Sequence, residues 1–195
     1  MKGRESGMPD EVLWASFFNA GAILDHLLPP DRERLDAVEF GCGYGTFTLP
    51  MAKRTRGRVT ALDIEPAMVA RVQEQVRKAG LDHVRIELRD FVEQGTGLGD
   101  ATQDHAMIFN LLHIEEPTAL LREAWRVLRP DGTLSVIHWR SDIDTPRGPP
   151  LGIRPHPKQC AAWVADAGFV GVHAVALGDS APFHFGMTGL RTECA

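Results

Sequence analysis

The fold of this chain is decided by one stretch near its N-terminus, Val38-Glu39-Phe40-Gly41-Cys42-Gly43-Tyr44-Gly45-Thr46-Phe47-Thr48-Leu49. The stretch predicts a short buried strand, then a turn with glycine at three alternate positions, then the start of a helix. Glycine has no Cβ, so it adopts positive φ angles and lets a ligand approach the backbone closely. At the carboxyl end of a parallel strand, a turn of this kind is where α/β proteins bind nucleotides.

The spacing of these glycines leaves more than one protein class open. The dinucleotide-binding fingerprint needs its third glycine one residue after Gly45, and this chain has Thr46 there. The pattern is therefore G-x-G-x-G, headed by the acid Glu39. A plain strand-to-helix turn would also use glycine. If the chain is not an enzyme that uses another nucleotide cofactor, two alternatives stay open. One is a nicotinamide-dependent oxidoreductase, and the other is a non-catalytic nucleotide-binding module of the same fold.

Composition narrows the class of protein. The 195 residues are 44% hydrophobic, which suits one domain with a full core. The net charge of -5 argues against a nucleic-acid partner, because such proteins are usually basic. The three cysteines are widely spaced without a C-x-x-C pair, so we expect neither a metal site nor disulfides, and a cytoplasmic location. No apolar run is long enough for a signal or a membrane span, so no membrane partner is expected.

Hydrophobic periodicity predicts alternating strands and helices. Helical patterns cover residues 10–28, 46–56, 66–79, 117–128 and 157–167, and strand patterns cover residues 36–40, 58–63, 84–88, 104–110, 133–139, 169–177 and 183–191. Residues 129–132 predict a type I turn, and residues 140–156 a long loop. The alternation indicates an α/β fold, a Rossmann-like doubly wound sheet of seven strands, mostly parallel, with a C-terminal antiparallel hairpin.

Polar residues end four of the predicted parallel strands: Asp63, Asp90, Asn110 and His138. Because ligands bind at the carboxyl edge of such a sheet, these side chains are expected to lie near one site. The carboxylate of Asp63 stands about twenty residues after the glycine turn, where an acid accepts hydrogen bonds from ribose hydroxyls. Its alternative role is to cap the helix that follows.

These motifs together resemble the class I S-adenosylmethionine-dependent methyltransferases. Residues 39–45 are similar to motif I of that family, Asp63 to its acid after the second strand, and residues 104–113 to motif IV. Residues 121–134, L-R-E-A-W-R-V-L-R-P-D-G-T-L, are typical of the small-molecule branch that includes the ubiquinone and menaquinone methyltransferases. No Pro-Pro-Tyr follows Asn110, so the signature of amino-methylating DNA enzymes is absent.

The resemblance implies a reaction and a set of binding residues. S-adenosylmethionine is the implied cofactor, a small molecule the implied acceptor, and in-line displacement of the methyl group the implied reaction. In this reading Asp90 accepts a hydrogen bond from the adenine amine, and the backbone N–H of Phe91 donates to the ring. The full set of expected cofactor-binding residues is Glu39, Gly41, Cys42, Gly43, Tyr44, Gly45, Asp63, Ile64, Asp90, Phe91 and Asn110.

The acceptor side is less sharply indicated. A methyltransferase mainly positions its two reactants, and whether it needs a general base depends on the pKa of the acceptor. His113 and His138 are the candidate catalytic residues, with His156 a further possibility, since all three fall near the carboxyl edge of the sheet. Trp139 and Arg140 are candidates for the wall of the acceptor pocket; Arg140 could equally be a solvated loop residue.

The predicted N-terminal helix, residues 10–28, carries more apolar surface than one contact needs. We expect one methyltransferase domain over residues 1–195, in which residues 1–30 form a helical lid on a Rossmann-like core of residues 36–195. An ordinary core helix is the alternative.

Overall fold

The computed structural model describes residues 8–30 and 33–193. Its seven strands are β1 Ala37–Phe40, β2 Val59–Asp63, β3 Val84–Leu88, β4 Gln103–Phe109, β5 Leu128–Trp139, β6 Val170–Val175 and β7 His184–Leu190. They form one sheet in the order β3-β2-β1-β4-β5-β7-β6. The first five strands are parallel, and β7 lies antiparallel between β5 and β6. The predicted mostly parallel sheet with an antiparallel C-terminal hairpin is confirmed.

The described residues form six α-helices, of which the first two precede β1: α1 Glu11–Ala15, α2 Ala20–Leu27, α3 Thr48–Ala52, α4 Pro66–Ala79, α5 Pro117–Val127 and α6 Pro157–Asp166. Two short 3-10 helices follow at Leu151–Ile153 and Gly178–Ser180. Proline occupies the first position of α4, α5 and α6, where its missing N–H would have no helical partner in any case. Helix α3 is shorter than predicted because residues 43–47 form turns.

The prediction of one helix over residues 10–28 is wrong. The chain leaves helical geometry between Ala15 and Ala20. Asn19 starts a second helix, because its side chain accepts a hydrogen bond from the backbone N–H of Ala22 at 3.2 Å. The break allows both Phe17 and Phe18 to pack inward, whereas neighbours on a continuous helix point about 100° apart.

The prediction of a separate turn at residues 129–132 is also wrong. These residues lie inside β5, where the register against β4 shifts between Gln103 and His105. Asp131 has a φ of 64°, and its backbone N–H donates to the carbonyl of Arg191. The Pro-Asp-Gly sequence therefore builds a bulge within a strand rather than a connection between two elements.

The central strands of the sheet are buried on both faces. Apolar residues of α5 and α6 cover one face, and those of α2, α3 and α4 cover the other. Alternate residues of each central strand belong to the two layers, as in Val38 and Ala37 of β1. This packing leaves the carboxyl ends of the parallel strands as the open edge. Within the described residues, no helix is both long and apolar enough to cross a membrane.

Candidate functional site

A cavity of about 550 Å³ opens at the carboxyl ends of β1, β2 and β4. Four parts of the chain form its wall: the segment that begins at Met8 and includes Trp14, the glycine turn, the residues that end the strands, and the loop after β5. Nine of the expected site residues line it: Glu39, Gly41, Cys42, Gly43, Asp63, Ile64, Phe91, Asn110 and His113. The structure therefore brings most of the predicted residues to one place.

The glycine turn has the backbone geometry that its sequence predicts. Gly41, Gly43 and Gly45 have φ angles of 73°, 50° and 78°, a region that side chains with a Cβ disfavour. A Cβ on Gly43 would lie 2.9 Å from the sulfur of Met8, and one on Gly41 would lie 3.2 Å from a methyl group of Leu111. The turn therefore presents bare backbone to the cavity.

Asp63 holds the glycine turn in place. It is the last residue of β2 and is 6% exposed. Its carboxylate accepts one hydrogen bond from the N–H of Gly43 at 2.8 Å and another from the N–H of Glu65 at 2.9 Å. Burial raises the pKa of Asp63, while these two bonds act in the opposite direction. Each carboxylate oxygen keeps a second lone pair, so Asp63 can still accept from a diol in the cavity.

Glu39 is an acid buried inside β1. It is 2% exposed, and the hydroxyl of Thr48 donates to its carboxyl group. Burial raises the pKa of Glu39 to about 8, and the nearby charge of Asp63 also raises it. At neutral pH the group is therefore mostly protonated. A cationic ligand in the cavity would favour its ionised form.

Asn110 has an unsatisfied side chain. It follows β4 with a φ of 60°, and its backbone N–H donates to the carbonyl of Ile137 at 2.7 Å. Both its amide oxygen and its amide nitrogen are buried without a partner among residues 8–30 and 33–193. A buried polar group without a partner costs about 1–3 kcal/mol. A ligand with one donor and one acceptor would relieve this cost, which fits the adenosine and amino-acid groups of S-adenosylmethionine.

Four expected site residues do not line the cavity: Tyr44, Gly45, Asp90 and His138. The hydroxyl of Tyr44 donates to the carbonyl of Pro9 at 2.9 Å, and Gly45 faces α4. The carboxylate of Asp90 accepts from the N–H of Glu93 in the turn after β3, while the adjacent Phe91 reaches the cavity. Tyr44 and Gly45 therefore support the wall from outside.

His113 and His138 form a directed chain of hydrogen bonds. Nδ1 of His138 lies 3.2 Å from the carbonyl oxygen of Trp139, and Nε2 of His138 lies 3.3 Å from Nδ1 of His113. Because a carbonyl only accepts, Nδ1 of His138 carries a proton and its Nε2 accepts one from His113. Nε2 of His113 is then left with a free lone pair. Since His113 lines the cavity, this nitrogen is the one able to take a proton from a ligand.

Burial keeps both rings neutral at physiological pH. It lowers the pKa of His113 and lowers that of His138 to about 3. His156, the third candidate, lies elsewhere: its ring accepts from the N–H of Lys158 as the N-cap of α6. Of the three histidines, His113 is thus the one on the cavity wall.

Two tryptophan rings form a further part of the cavity wall. Trp14 and Trp139 both line it, with ring centroids 6.3 Å apart, and the indole N–H of Trp14 donates to the hydroxyl of Thr46 at 3.1 Å. Arg140 pairs instead with Asp142 at 2.8 Å, outside the wall. Arg147 and the other lining residues of the loop 140–156 were not predicted from the sequence. The length of that loop and its four prolines were the available signal.

No group of three or more potential metal ligands occurs among the described residues.

Comparisons with known proteins indicate the same class of protein as the sequence motifs. Residues 37–132 match a family model described as a methyltransferase domain. A solved structure, a SAM-dependent methyltransferase from Aquifex aeolicus, superposes with a TM-score of 0.77 at 23% identity, covering 97% of this chain and 96% of that one. At this identity the likeness shows the fold.

Curated relatives match over part of their length. An uncharacterized protein in transposon TN4556 of Streptomyces fradiae is 36% identical over 141 residues, 67% of this chain and 39% of that protein. The ubiquinone biosynthesis O-methyltransferase of Xanthomonas oryzae pv. oryzae is 33% identical over 121 residues, 56% of this chain and 49% of that protein. The chain thus spans about half or less of the length of these relatives.

The comparisons give no support to the nicotinamide-dependent oxidoreductase that the glycine spacing left open. The class indicated by motif I and Asp63 is confirmed. The sheet order, the bare glycine turn and the methyltransferase-domain match together show that this chain belongs to the class I S-adenosylmethionine-dependent methyltransferases.

Proposed function

We propose that the protein transfers the methyl group of S-adenosylmethionine to a small-molecule acceptor. One observation supports the proposal: the glycine turn, Asp63 and His113 line the same cavity. The size of the cavity, about 550 Å³, lies in the range of roughly 300–1,000 Å³ typical of small-ligand sites. The O-methyltransferase among the relatives points the same way.

The cofactor would lie along the ends of β1, β2 and β4. Asp63 accepts hydrogen bonds from the ribose hydroxyls, and Asn110 supplies the donor and acceptor that its buried amide leaves free. Phe91 offers its ring to the adenine, and Glu39 offers a carboxylate to a positively charged group. Gly41 and Gly43 allow backbone contact. Cys42 and Ile64 complete the wall, and Asp90 shapes the turn that positions Phe91.

The acceptor would lie on the β4–β5 side. When bound, S-adenosylmethionine supplies a methyl group already activated by the sulfonium. The protein then has to align the acceptor and to remove its proton. His113 receives that proton at Nε2, and His138 acts as a positioning residue that keeps the proton of His113 on Nδ1.

We propose a lid that is smaller than the expected residues 1–30. Helix α2 is part of the core, because Ile23 and Leu24 are fully buried and the hydroxyl of Ser135 donates to the carbonyl of Leu27. Helix α1 contains no buried residue. It contacts the rest of the protein through the bond from Trp14 to Thr46 and the ion pair of Glu11 with Arg71. We therefore assign the lid to α1 and its flanking residues.

A non-catalytic module that keeps the fold is the second candidate, since a fold alone does not establish turnover. The free Nε2 of His113 favours catalysis over binding alone.

Cys42 and Cys160 are both buried and free, which supports the expected reducing, cytoplasmic setting.

Titration calorimetry tests the proposal directly. S-adenosylmethionine and S-adenosylhomocysteine should bind to the full chain, and NAD should not. Incubation with S-adenosylmethionine and a metabolite extract should then yield at least one product heavier by a methyl group, detected by mass spectrometry. Binding of NAD without binding of S-adenosylmethionine would end the proposal, and binding without any methylated product would favour the non-catalytic module.

A further inference from the structure

The cavity is lined by both acidic and basic residues. Three residues with acidic or guanidinium side chains are found among those that line it: Glu39, Asp63 and Arg147. Glu39 lies within β1 and Asp63 is the last residue of β2, whereas Arg147 belongs to the loop after β5. In the strand order, β4 lies between β1 and β5, so the acids and Arg147 reach the cavity from different parts of the sheet edge.

The guanidinium of Arg147 has no acidic partner in the part of the chain that the structure describes. No carboxylate among residues 8–30 and 33–193 forms an ion pair with its guanidinium, whereas the neighbouring Arg140 is paired with Asp142. Arg147 is exposed at the rim of the cavity. A guanidinium in this state is available to a carboxylate of a ligand, for which its planar set of donors is well suited.

The loop holds Arg147 beside an aromatic wall. Arg154 fastens the loop, because its guanidinium donates to the carbonyls of Pro149, Arg140 and Arg147 at 2.7, 3.0 and 3.3 Å. Gly148 has a φ of 110°, and a Cβ there would lie 2.8 Å from the ring of Trp139. The residue after Arg147 thus rests directly on that indole.

Three chemical features therefore line the same cavity. Trp14 and Trp139 offer flat apolar surfaces, Arg147 offers a positive charge, and His113 offers a proton acceptor. We propose that the acceptor is a hydroxylated aromatic carboxylic acid, whose ring packs on the tryptophans, whose carboxylate pairs with Arg147 and whose hydroxyl faces His113. This inference rests on the proposed function.

The transfer step balances with these groups alone. The hydroxyl oxygen forms a bond to the methyl carbon while the carbon–sulfur bond breaks and its electron pair stays on sulfur. The hydroxyl proton passes to Nε2 of His113. The products are a methyl ether, a neutral thioether and a protonated imidazole, which returns its proton to solvent.

Binding of matched acids and amides tests the inference. The full chain, saturated with S-adenosylhomocysteine, is titrated with protocatechuate, gallate and caffeate, and with the uncharged primary amide of each. At least one acid should bind about tenfold more tightly than its amide, since hydrogen bonds to charged groups are the stronger ones. The same pairs are offered with S-adenosylmethionine, and methylated product is measured by mass spectrometry.

Three variants locate the effect. Arg147→Ala should remove the preference for the acid while leaving the affinity for S-adenosylhomocysteine unchanged, and Arg147→Lys should keep part of the preference. Arg140→Ala removes the same charge from the same loop, outside the cavity wall, and should keep the full preference.

Equal binding of acid and amide, survival of the preference in Arg147→Ala, or no binding by any of the three acids would overturn the inference. Methylation of neutral acceptors only would overturn it while the proposed function stands. Failure of the wild-type protein to bind S-adenosylhomocysteine would instead refute the proposed function.

Discussion

The carboxylate of Asp63 accepts a hydrogen bond from the backbone N–H of Gly43 at 2.8 Å, which ties the end of β2 to the turn that ends β1. The acid that the sequence indicates as a ribose ligand is therefore also a support for the glycine turn. Loss of Asp63 should act on the cofactor twice, through the missing acceptor and through a looser turn.

The first prediction compares two acids. Asp63→Ala should weaken S-adenosylhomocysteine binding at least about tenfold, because hydrogen bonds to a charged group contribute roughly 1.5–3 kcal/mol. Asp90→Ala should weaken it less, since Asp90 lies off the cavity wall. Calorimetry measures both affinities, and thermal melts confirm that the variants are folded. Equal or reversed losses in the two folded variants would contradict the assignment.

The second prediction concerns His113. Only its neutral form accepts a proton, so the rate of methyl transfer should fall as pH drops through its pKa. Burial lowers that pKa, so the fall should lie below the ordinary value of 6.5. His113→Gln should abolish this limb of the pH profile and reduce kcat about 100-fold or more. His156→Gln is the matched control, and an identical loss in that variant would refute the role of His113.

The third prediction concerns stability and pH. Because burial raises the pKa of Glu39 from 4.5 to about 8, the folded state binds a proton there that the unfolded state releases. The ligand-free protein should therefore lose stability as pH rises from about 5 to above 8, by roughly 3–5 kcal/mol from this group. Glu39→Gln should flatten that decline. Denaturant titrations across this pH range measure it, and an equally steep decline in the variant would count against a buried, protonated Glu39.

The fourth prediction separates lid from core at the N-terminus. Deletion of residues 1–16 removes α1 and should leave a cooperative thermal melt and cofactor binding, with methyl transfer strongly reduced. Deletion of residues 1–28 also removes α2, whose Ile23 and Leu24 are fully buried, and should abolish the cooperative melt. Differential scanning calorimetry compares the two. A shorter deletion that unfolds the protein would show that α1 is no separable lid.

Much of the fold could be predicted because it depends on local patterns. Alternating apolar residues, β-branched runs and proline at first helical positions each act over a few residues, and they indicated the seven strands and the α/β class. The glycine turn was equally readable, since Gly41, Gly43 and Gly45 all need positive φ angles that the sequence itself signals. The family followed from the same residues together with Asp63.

What the tertiary structure alone decided depends on contacts between distant residues. The N-terminal segment breaks at Asn19 because Phe17 and Phe18 pack on Phe183 and Phe47, far along the chain. The Pro-Asp-Gly sequence became a bulge because Arg191, which follows β7, exchanges backbone hydrogen bonds with Asp131 and Gly132.

The candidate site divides in the same way. Its cofactor side was predictable, because those residues directly follow strands whose ends meet at one edge. The hydrogen bond between His113 and His138 joins side chains that are 25 residues apart in the sequence. Their Nδ1 and Nε2 atoms lie 3.3 Å from each other. The position of Arg147 depends on two contacts of its loop: Gly148 packs on Trp139, and Arg154 donates a hydrogen bond to the carbonyl of Arg147. No local sequence pattern predicts either arrangement, because both depend on packing between residues that are distant in the sequence.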